Sequence, residues 1–256
     1  MLFTTSWDDG YGLDLKLAGM LQRYSLTGTF YVCPVKQHGA TMLAEQEIKN
    51  ISVHHEIGAH SIHHPHLAKI PFEQARYEVM KSKEWVETIT GKPCTAFCYP
   101  YGSHNEAVRS VVHEAGFRSA RTTSDLQFRA SDPFALPVSL QVTPFPVRKR
   151  FSPPWKIFDP LGPLRSRFAR LKELSVPLRA MKSWLSLARY LFGYAVETNQ
   201  EFFHLYGHSR EVEKYGMWGD LDQFLQHVAE RRGHFKAVPN SALSIRSGDS
   251  RISATS

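Results

Sequence analysis

Two adjacent carboxylates, Asp8 and Asp9, close the first apolar run of the chain in the stretch Ser6-Trp7-Asp8-Asp9-Gly10. Alone, an Asp-Asp-Gly sequence is an ordinary turn. A second cluster changes its weight. Histidines crowd the stretch from His54 to His66, and His60 and His64 are four residues apart. Pro65 biases His64 away from helical backbone, so a tight loop after a short strand is expected there. On a helix or in a loop, two imidazoles at this spacing can converge on one ion. Two histidines and a carboxylate make a three-ligand catalytic zinc site with a fourth position open. If Asp9 supplies that carboxylate, Asp8 remains free to take a proton from a water that the metal has acidified. His54, His55 and His66 are read as structural or solvated.

Two further strand ends carry candidate groups. Tyr99-Pro100-Tyr101-Gly102 reads as a rigid turn whose backbone N–H groups suit a developing oxyanion. The stretch Phe202–Glu211 ends a strand at His208, where an imidazole can protonate a leaving amine. His204, inside that strand, is read as a packed, hydrogen-bonded core histidine.

The elements that must hold these residues alternate along the chain. Strands are expected at Leu2–Trp7, Thr27–Val32, Glu56–His60, Thr95–Pro100, Arg118–Thr123, Glu201–His208 and Phe235–Pro239. Helical periodicity runs through Leu13, Leu17, Met20, Leu21 and Tyr24. It recurs from Pro71, with Phe72, Ala75, Val79, Val86 and Ile89 as the apolar face and Gly91 as its stop. Asn105–Phe117 and Asp220–Gly233 complete the set, with Gly116 closing the former. Strand-helix alternation implies a mostly parallel sheet, as a barrel or an open sheet, with chemistry at the C-terminal strand ends.

The chain has 256 residues, 42% hydrophobic and 21% charged, enough for a substantial core and unlike a disordered composition. Its net charge of +7 is uneven: residues 148–196 carry 11 Lys and Arg against 2 acids, leaving the rest slightly acidic. That segment breaks the alternation. It is expected to be an insertion, a solvated helical lid on a single domain spanning 1–256. The lid is a candidate for peripheral contact with an anionic glycan or membrane. No nucleic-acid recognition motif accompanies the charge, so no nucleic-acid partner is expected. No long apolar run and no signal peptide are evident, and the three cysteines suit a reducing compartment, so a cytoplasmic location is expected, membrane-peripheral at most. The polar tail from Ser244 is expected to fray.

Taken together and in this order, the motifs resemble the polysaccharide deacetylase family, carbohydrate esterase family four. "SWDDG", "HSIHH", "FCYPYG" and "LYGHS" resemble its successive motifs. The resemblance is good over residues 1–123, moderate over 200–240 and slight between them. It implies an α/β fold, a distorted (β/α) barrel, and hydrolysis of an N-acetyl group on a sugar in a glycan or a lipid-linked precursor. It implies Asp8 as general base, Asp9, His60 and His64 as ligands of a divalent metal (Zn2+, with Co2+ as the alternative), the Tyr101 N–H at the oxyanion, His208 as acid, and Ser61 as support for the loop. Two positions depart from the pattern. Cys98 stands where an arginine often orients the base, and Arg121 is the candidate replacement. The family's Trp/Asp motif beside the acid has no match, with Asp125 or Asp132 as candidate stand-ins. These departures leave two other functions open: hydrolysis of non-sugar linear or cyclic amides, and carbohydrate binding without catalysis.

Overall fold

The computed structural model describes residues 1–35, 39–149 and 154–245. In chain order its elements are β1 (Leu2–Asp9), α1 (Asp14–Arg23), β2 (Thr29–Val32), α2 (Glu45–Ile51), β3 (Glu56–Ala59), α3 (Phe72–Thr90), β4 (Ala96–Cys98), α4 (Glu106–Glu114), β5 (Ser119–Arg121) and β6 (Leu140–Gln141). Then follow α5 (Gly162–Arg165), α6 (Phe168–Glu173), α7 (Trp184–Glu197), β7 (Phe202–Gly207), α8 (Ser209–Lys214), α9 (Trp218–Ala229) and β8 (Lys236–Ala237). The tail beyond 245 lies outside the described residues.

β1 shows why polar residues can sit in a buried strand. All eight of its residues are buried. Phe3, Thr5 and Trp7 alternate with Thr4, Ser6 and Asp8, as strand geometry requires. Phe3 and Trp7 join the main apolar core. Thr4, Ser6 and Asp8 instead meet polar partners: Asn240 Oδ1 (2.8 Å), His204 Nε2 (2.8 Å) and Arg121. One face therefore packs on helices, and the other lines a hydrogen-bonded interior. His204 donates from Nδ1 to the Pro137 carbonyl (3.1 Å), which leaves Nε2 to accept from Ser6. It is part of the core network.

All strand pairs are parallel, in the order β5-β4-β3-β2-β1-β7-β6, with β8 beside the start of β1. The two ends of this order meet in one segment. Leu136 donates to Ala120 O (2.8 Å) and accepts from Thr122 N (2.9 Å), which pairs it with β5. A few residues on, Leu140 and Gln141 pair with β7. The stretch 136–141 thus closes the ring, and the result is the expected distorted (β/α) barrel.

The helices follow local signals. Asn105 caps α4 by accepting from Val108 N (2.9 Å), and α3 ends at Gly91 in the left-handed region (φ 65°). Among the described residues no helix is long and apolar enough to cross a membrane.

The basic segment departs from the lid expected for it. In α7, Trp184, Leu187, Ala188, Leu191, Phe192 and Ala195 are buried. Phe192 packs edge-on against Phe3 (5.9 Å between ring centroids), Phe203 (5.6 Å) and Phe224 (6.2 Å). The reason is topological. β6 and β7 are neighbouring parallel strands, and such a pair needs a crossover connection. α7 is that crossover helix and belongs to the barrel wall. Before α7, Leu171, Leu174, Val176 and Met181 also join the core, and the stretch around Ile157, Phe158 and Leu161 stays at the surface, with Phe158 88% exposed; residues 150–153 lie outside the described set.

Candidate active site

The C-terminal ends of β1, β3, β4, β5 and β7 meet at one mouth of the barrel. β1 ends in Asp8 and Asp9. The chain then turns sharply, with φ of 79° at Asp9 and 75° at Gly10. His60 follows β3, Cys98 ends β4, Arg121 ends β5, and His208 follows β7. Ser61 (φ 60°), His64 (φ 56°) and Tyr101 (φ 57°) are also left-handed. Non-glycine residues held there cost on the order of 1–3 kcal/mol each and persist where the surroundings over-determine them. Among the described residues, Asp9, Ser61, His64 and Tyr101 belong to these strand-end motifs, and Ser25, Leu126, Ser175 and Asn199 do not.

Asp9, His60 and His64 form a tight triangle. Asp9 Oδ1 lies 3.5 Å from His60 Nε2 and 3.2 Å from His64 Nε2, and the two ring nitrogens are 3.1 Å apart. His60 Nδ1 donates to the Cys98 carbonyl (2.8 Å), which leaves the Nε2 lone pair facing the triangle. Asp9 Oδ1 is buried without a well-directed hydrogen bond. Burial would raise the Asp9 carboxyl, but the two imidazoles and His208 outweigh it and hold the group far below the carboxylate range. Two nitrogen lone pairs and a carboxylate oxygen within 3.5 Å make a site for a cation. Tetrahedral zinc with bonds of about 2.0–2.1 Å needs ligand atoms about 3.3 Å apart, so these residues fit such an ion.

A second group that could hold a metal, Asp8, His60 and Cys98, lies behind the first. It fits less well. Burial pushes the Cys98 thiol well up, so its neutral form dominates, and the fixed positive charge of Arg121 sits against it.

Arg121 meets Asp8 directly. Its guanidinium contacts both carboxylate oxygens, and both side chains are buried. It also reaches Cys98 Sγ (2.8 Å) and the Thr122 carbonyl (3.2 Å), and lies 4.3 Å from the centre of the Tyr206 ring. Burial would raise the Asp8 carboxyl; Arg121, with His60 and His208, overrides this and keeps it below its ordinary value. The position at Cys98 is thus filled from the next strand, with the small thiol leaving room for the guanidinium.

His208 is partly buried, 4.0 Å from Asp9 Oδ2 through Nε2. Its Nδ1 lies 3.3 Å from Glu211 Oε2, one turn along α8. Burial disfavours its charge, but Glu211 and the field of Asp8 and Asp9 win and push it up to about 9. Neither Asp125 nor Asp132 takes part. Asp125 pairs with Arg167, and Asp132 pairs with Arg109 while capping Phe134 N (2.8 Å). The acid beside His208 is Glu211, which sequence reasoning passed over. Its signal was the three-residue spacing in "HSRE". Tyr101 stands at the rim, its ring stacked on His66 (4.0 Å) and edge-on to His64 (4.6 Å).

A cleft of about 420 Å³ opens beside β1, lined by Tyr11, Leu13, Thr41, Glu47 and Arg210. A larger groove of about 850 Å³ lies on the outer face of α3, away from these residues.

Residues 3–120 match the family described as Polysaccharide deacetylase. Peptidoglycan-N-acetylmuramic acid deacetylase PdaA of Bacillus subtilis is 32% identical over 120 residues, 44% of this chain and 43% of that protein. The uncharacterized protein YlxY of the same organism is 27% identical over 124 residues, 48% of this chain and 37% of that one. The match thus spans less than half the length of both curated relatives. A solved structure from Mycobacterium smegmatis, provisionally described as a polysaccharide deacetylase, aligns over 95% of this chain and 89% of its own, with a TM-score of 0.64 at 15% identity. That likeness concerns the fold, and it covers the barrel well beyond the matched half. Over residues 3–120, just under half of its length, the chain is thus similar to the polysaccharide deacetylase family.

Proposed function

We propose that the protein is a metal-dependent hydrolase that removes N-acetyl groups from an N-acetylated sugar, in an oligo- or polysaccharide or a lipid-linked precursor. The observation that carries this reading is the Asp9–His60–His64 triangle beside the buried Asp8–Arg121 pair. A divalent ion held by Asp9, His60 and His64, zinc by the nature of the ligands, would supply Lewis acidity and a water of lowered pKa. The chain's own groups divide the remaining tasks. Asp8, kept ionised by Arg121, accepts the proton of the attacking water. The Tyr101 N–H supports the oxyanion. His208, oriented by Glu211 and charged at neutral pH, gives its proton to the departing amine. Arg121 positions Asp8 without touching substrate.

Support for a sugar substrate comes from the family and from the substrate in the name of the 32% identical relative. The cleft beside β1 is of a size that ligand sites use. On this reading the described chain is one catalytic domain. The surface part of 148–196 makes any contact with an anionic glycan or membrane. Three buried cysteines, an odd and sparse set, suit a reducing, cytoplasmic setting.

The test is acetate release from a panel of N-acetylated oligosaccharides, peptidoglycan fragments and lipid-linked sugars, with Asp8→Asn beside the parent. The reading expects acetate from the parent, and from the variant full zinc content with acetate release lost. Release that survives Asp8→Asn unchanged would remove Asp8 as the base. Cleavage of small cyclic amides with no acetate from any sugar would move the substrate class.

A further inference from the structure

Glu78 lies on the inward face of α3, beside Ala75 and Val79, with a side chain only 1% exposed. A carboxylate at that depth persists where its oxygens are fully partnered. Its Oε2 accepts from the backbone N–H of Ile62 (2.8 Å) and of His63 (2.8 Å). Its Oε1 lies 2.6 Å from His63 Nδ1. Hydrogen bonds to an ionised acceptor are the strong ones.

These bonds fall between the left-handed residues Ser61 and His64, where the loop has no strand partner of its own. The neighbouring donors are also held: His60 N by Val32 O (3.1 Å) and His64 N by Ser61 Oγ (3.0 Å). Glu78 therefore fixes the middle of a loop whose two ends present His60 and His64. It touches neither ring.

We infer that Glu78 is a positioning residue. It holds the 60–64 loop so that the two Nε2 atoms stand 3.1 Å apart before a cation arrives. This rests on the reading of Asp9, His60 and His64 as the metal site. Preorganisation of this kind shows in metal affinity, because an unheld loop must be ordered when the ion binds. Outer partners of metal ligands contribute about 10- to 100-fold in affinity.

The experiment uses the full chain stripped of metal, with Glu78→Ala and Glu78→Gln. Two quantities are measured: amide hydrogen exchange of residues 60–66 without metal, and zinc affinity by competition with a chromophoric chelator. Glu78→Ala should raise exchange at Ile62 and His63 about tenfold or more, with β-strand amides as in the parent. Its zinc affinity should fall about 10- to 100-fold. Glu78→Gln keeps an acceptor oxygen for the backbone and should fall between, and it decides the matter if the alanine variant fails to fold. Unchanged exchange, or raised exchange with parental zinc affinity, would overturn the inference. A parent chain that takes up no zinc would sink the metal reading instead, and the exchange data would show separately whether Glu78 holds the loop.

Discussion

Replacing Arg121 by Met tests the arrangement behind the metal triangle. The substitution keeps an unbranched side chain of similar length and removes the guanidinium. Asp8, 3% exposed, is then left as a buried carboxylate without its cation. Two unit charges about 4 Å apart at an effective dielectric near 20 interact by about 4 kcal/mol. Measured losses on removing one partner of a buried pair are about 3–5 kcal/mol. His60 and His208 still act on Asp8, and the carboxylate can take up a proton, so the lower part of that range is expected at neutral pH. For a chain of this size each kcal/mol moves the midpoint by roughly 2–4 °C, so Tm should drop by roughly 6–12 °C for a loss of about 3 kcal/mol. The assay is thermal and guanidinium unfolding with EDTA present, so that metal binding does not mask the change. The double variant Asp8→Asn/Arg121→Met removes the uncompensated charge and should recover about 1–3 kcal/mol relative to Arg121→Met alone. The reasoning is refuted if Arg121→Met is as stable as the parent, or if the double variant loses the sum of the two single changes.

Three more expectations follow from the packing and the buried groups. Burial, with Arg121 nearby, lowers His204 to about 3, and burial lowers His55 to about 4. Both folded values lie below the unfolded value near 6.5, so the neutral forms stabilise the fold above that pH, and the contribution is lost as pH falls through 6.5 toward those values. At pH 5 His204 alone accounts for about 2 kcal/mol; urea unfolding at pH 7 and pH 5 should show His204→Gln losing about that much less than the parent, and equal losses would contradict the assignment. Phe192→Ala, in α7, should cost about 3–5 kcal/mol by denaturant unfolding, where a helix lying loosely over the mouth would lose under about 0.5 kcal/mol. Glu211→Gln should lower the rate of acetate release about 10- to 100-fold with zinc content unchanged, and a parental rate would remove Glu211 as the partner of His208.

Much of the site was legible because its chemistry is local. Asp8 and Asp9 are adjacent, His60 and His64 are four apart, and each group ends a strand marked by β-branched or aromatic residues. What was hidden depends on contacts between distant segments. Glu78 sits on the apolar stripe of α3, and nothing in its neighbours says which loop its carboxylate meets, 15 and 16 residues back. Arg121 could be named as the candidate partner of Asp8, but the adjacency of β5 and β4 that brings it there is a pairing that periodicity alone does not order. β6 has only two residues, too short for any alternation to show, and so the crossover that α7 must provide was not visible. The same blindness made the 148–196 segment read as a lid. Its basic charge and its apolar positions at Leu187, Leu191 and Phe192 were plain, but the surface they cover belongs to β1 and β7.

The central claim is that Asp9, His60 and His64 hold the ion on which deacetylation depends, and its most direct test is a zinc titration of the chelator-stripped protein followed by acetate release. The account predicts no release without metal, a rise to a plateau at one zinc per chain, and no rise in a His60→Ala/His64→Ala variant. Release from the stripped protein that zinc does not change, or equal zinc-dependent release from that variant, would contradict it.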